Sequence, residues 1–395
     1  MAENISSEYY RAEIAMLNSE IKELTERLSS NPNLAVRDKY DPFGNPTDYK
    51  GFGGDYSRID PRITEPGYKS TLMPDYDERE NLKKWYGLGG RCLILRFILT
   101  EGLVFLLMLL IYNVIRGINP DMSGADIRSY MSGTSIMAGI NTIVFVVANI
   151  LTAVYGLKKA GIRFSALLRT NDIGTSATMQ YCLIGSAIWY ICTFAARAVE
   201  IFFNSIGISV KPGDSVNNYL TGGVPLAIFV LYTCVLAPIT EEVFFRGMLM
   251  RVFSRANQRF AVFASAIFFG MVHGNIQQFI LAAAMGVFLA HITLKHGSVI
   301  PAAGVHIFVN SLSLMTALIR HYLREVAFAA DMVLIVFTAI GILLLIIFRI
   351  TDRIPLTTPE QDRRGFHTAT GSWGFDLAVV ILLANMAYVL CSGAI

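Results

Sequence analysis

The sequence predicts an all-α, polytopic membrane protein with eight or nine transmembrane helices, preceded by a cytoplasmic helix and a disordered linker. Of its 395 residues, 53% are hydrophobic and only 16% are charged, and the mean hydropathy is +0.48. Soluble domains carry about 25% charged residues, so this chain is too apolar for that class. Its apolar runs instead approach the roughly 17–25 residues that a helix needs to cross a bilayer.

Residues 1–90 contain no candidate span. A stripe of apolar residues at steps of four and three predicts an amphipathic helix over residues 1–31. We expect self-association or a partner helix through residues 10–28, because the polar face mixes Glu with Lys and Arg; a helix lying on the membrane is the alternative. The stripe consists of Tyr10, Ile14, Leu17, Ile21, Leu24 and Leu28.

Residues 32–90 are predicted to be a flexible linker and a juxtamembrane segment. The linker, up to about Pro74, is rich in Pro, Gly, Asp and Tyr without periodicity. A short polar helix from Asp77 to Tyr86 should then lead through the glycine-rich stretch 87–90 into the membrane.

Nine apolar runs follow, and the fifth is short for a span. We assign 91–177 to N-terminal transmembrane helices, 178–320 to a core and 321–395 to C-terminal transmembrane helices. Alternate connections are basic, which places the N-terminus in the cytoplasm and, with nine spans, the C-terminus outside. The chain is therefore expected in a membrane, the cell membrane if it is bacterial. The runs are 92–115, 134–156, 178–203, 223–240, 260–275, 277–295, 299–319, 328–348 and 375–394.

Several classes of protein are disfavoured by composition. A net charge of +3 gives no support for nucleic-acid binding. The five cysteines form no CxxC pair, so neither a disulfide framework nor a Cys-ligated zinc site is indicated. The polar N-terminus has no apolar stretch typical of a cleavable signal peptide.

Charged residues inside apolar runs are the main functional signal. Glu241, Glu242 and Arg246 follow the run that begins at residue 223. Each charge costs about 2.5–3.5 kcal/mol to insert at the centre of a membrane helix, so three together need partners and a reason. Glu242 and Arg246 stand four apart and can pair on one helix face, whereas Glu241 points elsewhere and has no such local partner. A structural ion pair with a spare glutamate is the alternative interpretation.

Three more polar residues lie within later apolar runs: His273 on the fifth, and His306 with Asn310 on one face of the seventh. Counting about 1.5 Å per residue from the expected turns brings them to a depth similar to that of Glu242, in the cytoplasmic half of the membrane. Such a cluster suits amide hydrolysis. Glu241 with His273 would deprotonate a water, and His306 with Asn310 would stabilise the oxyanion.

Other polar or small residues in the runs favour structural roles. Ala282, Gly286 and Ala290 form a small-residue stripe for close helix contact. Further buried charges are predicted as Arg96 with Glu101 and Arg197 with Glu200. His291 and His296 are interpreted as interfacial, and Ser311 and Ser313 have no pattern that indicates a nucleophile.

The three motifs, EExxxR at 241–246, FxxxH at 269–273 and HxxxN at 306–310, resemble those of the CPBP family of type II CAAX prenyl endopeptidases and bacteriocin-processing or Abi-type proteases. The resemblance covers residues 180–320. It implies a helical intramembrane endopeptidase that cuts membrane-associated peptides or lipidated protein C-termini, with Glu241 and His273 as base and His306 and Asn310 on the oxyanion side. The family is called metalloprotease, yet no HExxH pair is present, so zinc stays open as a cofactor.

Two other functions were weighed against the protease. A catalytically silent scaffold or immunity protein of the same fold is the main alternative, although a pure binder has no need of an unpaired Glu241. A transporter would also bury Glu, His and Arg, but the sequence lacks matching half-chains with broken spans.

Overall fold

The computed structural model describes residues 18–19, 22, 74–131, 134–168, 175–208, 223–351 and 367–392. Apart from residues 18–19 and 22, the predicted N-terminal helix lies outside these ranges, as does most of the linker. The described chain is almost entirely helical and contains no strand. Its helices are α1 (Pro74–Ile118), α2 (Gly124–Met131), α3 (Thr134–Ala160), α4 (Thr175–Ser205), α5 (Gly223–Leu231), α6 (Ala237–Glu242), α7 (Met250–Ser254), α8 (Gln258–Met271), α9 (Ile276–His296), α10 (Ile300–Tyr322), α11 (Ala327–Thr351) and α12 (Trp373–Ser392).

Eight helical segments within the described ranges are long and apolar enough to cross a bilayer. One of them, Gly223–Ser254, joins α5, α6 and α7 through two π-helical turns, and we call it the composite helix. The predicted all-α, polytopic class with eight or nine membrane helices is therefore confirmed.

The short fifth run is the exception. The structure gives it only the 14 residues of α8, Gln258–Met271. At about 1.5 Å per residue this helix is roughly 21 Å long, less than the ~30 Å hydrocarbon core. The predicted span at 260–275 therefore does not form at full length. The chain turns back into α9 before α8 could cross the membrane.

The glycine-rich stretch near residue 90 lies inside α1, not between two helices as expected. A Cβ at Gly90 would lie 2.2 Å from the carbonyl oxygen of Gly374, and one at Gly89 would lie 2.3 Å from the ring of Phe253. These glycines let α12 and α7 approach α1 closely. Close packing therefore outweighs the intrinsic cost of about 1 kcal/mol per helical glycine.

Two packed clusters surround the region of the motifs. One joins α4, α9, α10 and α11 through buried residues such as Tyr181, Leu289 and Val305. The other is a set of aromatic rings in edge or tilted contact between α1, α7, α8 and α12; its members are Tyr86, Phe253, Phe260, Phe268 and Phe375. Both hold the composite helix and α8 to α10 in a fixed arrangement.

The predicted small-residue stripe on α9 faces α8 at its central residue. A Cβ at Gly286 would lie 2.9 Å from Ala266 of α8 and 3.2 Å from Arg246 Nη2. The missing side chain at Gly286 therefore lets α9 pack directly against α8 and against Arg246 of the composite helix.

Candidate active site

The composite helix departs from α-helical geometry on both sides of α6. π-Helical turns occupy Tyr232–Leu236 and Val243–Leu249. Such turns are rare in proteins and occur often at functional sites. Each widens the helix locally and changes the direction in which later side chains point.

Pro238 explains why the first π turn accepts a hydrogen bond from another helix. The N–H of Ala237 donates to the carbonyl of Tyr232. The next nitrogen belongs to Pro238 and carries no hydrogen, so the carbonyl of Thr233 has no donor from its own helix. Asn310 of α10 supplies one, because its Nδ2 donates to that carbonyl at 2.9 Å.

Glu242 and Arg246 form the predicted ion pair, inside the protein. Arg246 Nη1 donates to Glu242 Oε1 at 2.9 Å, and both side chains are fully buried. The Nδ1 of His306 lies 2.9 Å from the same oxygen. Arg246 also stacks over Phe269, with Cζ 4.4 Å from the ring centroid. These contacts tie α6, α8 and α10 together around a closed, charge-paired centre.

Glu241 occupies the other side of the same helix turn and faces a cavity. Its side chain is 14% exposed, and its Oε2 lies 3.8 Å from His306 Nε2. The imidazole of His306 therefore stands between two carboxylates, hydrogen-bonded to Glu242 and facing Glu241. The carboxylate of Glu241 remains reachable by water.

His273 lies in the turn between α8 and α9, two residues past the end of α8, and not within a span as expected. Its Nδ1 lies 2.7 Å from the carbonyl oxygen of Phe269. A carbonyl only accepts, so Nδ1 carries the hydrogen and Nε2 keeps a lone pair. Asn275 holds the turn: its Nδ2 donates to the His273 carbonyl at 3.2 Å, and its side chain accepts from the N–H of Gln278 at the start of α9.

One cavity of about 450 Å³ joins four of the six predicted site residues. Its lining includes Glu241, His273, His306 and Asn310, whereas Glu242 and Arg246 lie behind the wall. The six residues thus divide into a cavity group and a supporting pair. Ser313, which we did not favour as a nucleophile, also reaches the cavity. Apolar lining residues include Phe229, Trp189, Leu281, Met285, Val309 and Leu314.

The cavity also contains Arg96 of α1, which the sequence analysis paired with Glu101. That pairing is wrong: Glu101 is exposed, and Arg96 Nε donates instead to Asn149 Oδ1 at 2.7 Å. Residues 96 and 101 are five apart, which places them far round the helix from each other. A buried arginine with no acidic residue three or four positions away was the signal that could have indicated a more distant role.

The other predicted pair forms at the surface of the protein. Arg197 Nη1 donates to Glu200 Oε1 at 2.5 Å, but the arginine side chain is 65% exposed, so this charge is not buried as expected. His296 contacts the hydroxyl of Tyr181 through Nε2 at 2.9 Å.

The residues present do not form a recognisable metal site. Among the described ranges, no three His, Cys, Asp or Glu side chains are grouped as metal ligands. His306 Nδ1 is already bonded to Glu242, which leaves only its Nε2 to share. The steps considered below are assigned to the chain's own residues, and zinc stays open as a cofactor.

Comparison with known proteins finds sequence similarity to peptidases. A sequence model of the family described as "Type II CAAX prenyl endopeptidase Rce1-like" matches residues 223–312, which carry all three motifs. "Putative membrane peptidase YdiL" of Bacillus subtilis (strain 168) is 26% identical over 171 residues, which cover 40% of this chain and 69% of that protein. No solved structure matches the chain. With the three motifs gathered around one cavity, these matches support the resemblance of the chain to CPBP-family proteases.

Proposed function

We propose that this protein is a glutamate-dependent intramembrane endopeptidase that hydrolyses peptide bonds of membrane-associated peptides or lipidated protein C-termini. The observation that supports it most is the shared cavity: Glu241, His273, His306 and Asn310 come from three separate parts of the chain and line one space. The names of the matched family and of the bacterial relative both describe peptidases.

In the proposed reaction, the Glu241 carboxylate accepts one proton of a water molecule. His273 Nε2 accepts a hydrogen bond from the other hydrogen, because its Nδ1–H is held by the Phe269 carbonyl. The water oxygen adds to the scissile carbonyl carbon, whose oxygen becomes an oxyanion. Glu241 then transfers its proton to the leaving nitrogen as the C–N bond breaks.

The oxyanion needs donors that are fixed before the reaction begins. Asn310 Nδ2 has two hydrogens, and the bond to the Thr233 carbonyl uses only one. The Glu242 carboxylate accepts from His306 Nδ1–H, so His306 Nε2 donates to the oxyanion as the imidazolium, in which both ring nitrogens carry a hydrogen. Glu242 and Arg246 act in this proposal as positioning residues, because they hold the His306 ring in place without reaching the cavity.

The test is a cleavage assay with a library of membrane-associated peptides and protein C-termini in liposomes, read by mass spectrometry. We expect Glu241→Gln and His273→Ala to lower turnover by about 10²–10⁴-fold, the usual contribution of a general base. Glu101→Gln is the matched control, since that carboxylate is exposed on α1 and does not line the cavity. Unfolding curves in detergent should be the same for all variants.

Two results would contradict the proposal in different ways. Activity of both site variants equal to that of the wild type would remove Glu241 and His273 from the chemistry. A wild type that binds peptides as tightly as both variants, and cleaves none of them, would favour the scaffold or immunity alternative.

A further inference from the structure

Arg96 lies in the cavity although its helix carries none of the three motifs. It is 6% exposed, and among the described residues it is the single lysine or arginine that lines this space. A buried guanidinium in a membrane helix is costly and needs an anionic or polar partner. Its position in the cavity raises the question of which negative charge the guanidinium stabilises.

The guanidinium is fixed on the side away from the cavity. Its Nε donates to Asn149 Oδ1, and Asn149 Nδ2 donates in turn to Thr240 Oγ1 at 3.2 Å. Thr240 directly precedes Glu241, so a short chain of hydrogen bonds links the arginine to the helix turn that holds the candidate base. Arg96 is therefore held in a constant position relative to Glu241.

Aromatic rings hold the same group from other directions. The Cζ of Arg96 lies 6.0, 5.8 and 5.9 Å from the ring centroids of Phe145, Phe244 and Phe245. Rings at this distance attract a cation without forming hydrogen bonds with it. In the described part of the chain, the bond to Asn149 is the one hydrogen bond of the Arg96 side chain. Both terminal amino groups thus keep their hydrogens available.

Charge balance indicates the role. Glu242 is already matched by Arg246 within the closed centre. Glu241 has no arginine or lysine within ion-pair distance among the described residues; its nearest basic nitrogen is His306 Nε2 at 3.8 Å, and Arg96 lines the same cavity. During hydrolysis the negative charge leaves Glu241, which gains a proton, and appears on the oxyanion. A fixed cation that lines the same cavity offsets the charge before and after that transfer.

A substrate carboxylate fits this balance less well. It would add a second negative charge to a cavity whose single arginine already faces Glu241. The oxyanion adds none, because Glu241 becomes neutral as the oxyanion forms.

We propose that the Arg96 guanidinium stabilises the carboxylate of Glu241 before the reaction and stabilises the oxyanion once it forms. This inference rests on the proposed peptidase function. Asn149 is its positioning residue, since it acts only by orienting the guanidinium.

The experiment compares Arg96→Met, Arg96→Lys and Asn149→Ala in the reconstituted full-length protein, with kcat and KM measured separately. We expect Arg96→Met to lower kcat by about 10²-fold with little change in KM, as for loss of one preorganised electrostatic group. Arg96→Lys should recover at least about tenfold of that loss because it restores the charge. Asn149→Ala should lower kcat less, and should add nothing in the Arg96→Met background.

Arg320→Met is the matched control, because Arg320 pairs with Asp331 and does not line the cavity. The peptide is used both as the free acid and as the C-terminal amide. A loss confined to KM and to the free acid would overturn the proposal and assign Arg96 to a substrate carboxylate. Wild-type kcat in Arg96→Met would also overturn it.

Failure of this inference is distinguishable from failure of the proposed function. If Glu241→Gln is inactive while Arg96→Met is fully active, only the role of Arg96 is wrong. If Glu241→Gln cleaves at the wild-type rate, the peptidase mechanism itself is wrong. Should Arg96→Met fail to fold, the Asn149→Ala variant still decides, since unchanged kcat in that variant overturns the proposal.

Discussion

Two adjacent glutamates lie on different faces of the composite helix. We call the buried face with Glu242 the closed face, and the face with Glu241 the cavity face. Glu242 is fully buried and shares one oxygen between Arg246 and His306. Glu241 is 14% exposed and faces a cavity that also holds His273. Neighbouring residues on a helix point about 100° apart, which is enough to separate the two faces. The comparison suggests that one carboxylate maintains the structure while the other is free to react.

Removing the buried carboxylate of Glu242 is expected to have the largest effect on the free energy of unfolding. Glu242→Ala leaves the Arg246 charge unpaired inside the protein, so we expect a loss of about 3–5 kcal/mol in the free energy of unfolding. Glu241→Gln should change it by only about 0.5 kcal/mol, because its side chain reaches the cavity. Denaturant unfolding in detergent measures both. Equal destabilisation by the two variants would show that the faces do not differ as described.

A paired substitution sharpens the same result. Replacing Glu242 and Arg246 together by Leu removes both charges, and such swaps are often neutral or stabilising by about 1–4 kcal/mol. Stability should therefore return, whereas cleavage should not, because His306 loses the partner that holds its ring. The exposed pair offers the control: Arg197→Met should cost at most about 1 kcal/mol.

The next effect concerns the link between α10 and the first π turn. Asn310→Ala leaves the Thr233 carbonyl without a donor, so we expect a loss of about 1–3 kcal/mol in unfolding free energy. Adding Pro238→Ala supplies a backbone N–H close to that carbonyl and should recover part of the stability. Cleavage should stay low in both variants if Asn310 also donates to the oxyanion. Recovered cleavage in the double variant would assign Asn310 to structure alone.

The last prediction concerns the packing of α9 against the closed face, and its expected effect is no larger than that of Asn310→Ala. A Cβ at Gly286 would lie 2.9 Å from Ala266 and 3.2 Å from Arg246 Nη2. We therefore expect Gly286→Ala to cost about 1–3 kcal/mol in unfolding free energy by overpacking, because the closest atoms are the Cα and Cβ of Ala266, which cannot rotate away. Gly304→Ala is the control, because a Cβ there has open space. Equal unfolding midpoints for the two variants would contradict the close packing.

Much of the arrangement could be predicted from spacing alone. The step from Glu242 to Arg246 predicted their pair, and helix counting brought Glu241, His273, His306 and Asn310 toward one place, where the structure puts them around one cavity. Helical rise and rotation account for the approximate positions, although Arg246 lies in a π turn and His273 lies beyond the end of α8.

The failures occurred where local rules do not apply. His273 was expected within a helix, but α8 ends early and places it in a turn. Arg96 was assigned to a charge on its own helix, while its partner, Asn149, lies 53 residues away. The glycines at 89 and 90 were expected to connect a short polar helix to the first span, although they lie inside α1 and make contacts with distant helices. Tertiary packing decides each of these cases, and a single sequence carries little signal for it.

The two π turns have a consequence for how this segment can vary. Each takes in one more residue than a regular turn would, so the angular phase of everything that follows depends on the number of residues between 232 and 249. Deleting one residue from the first turn would return that turn to ordinary winding and rotate the carboxylate of Glu241 by about a quarter of a turn relative to α5. In this segment, length is therefore constrained more tightly than the identity of any apolar side chain.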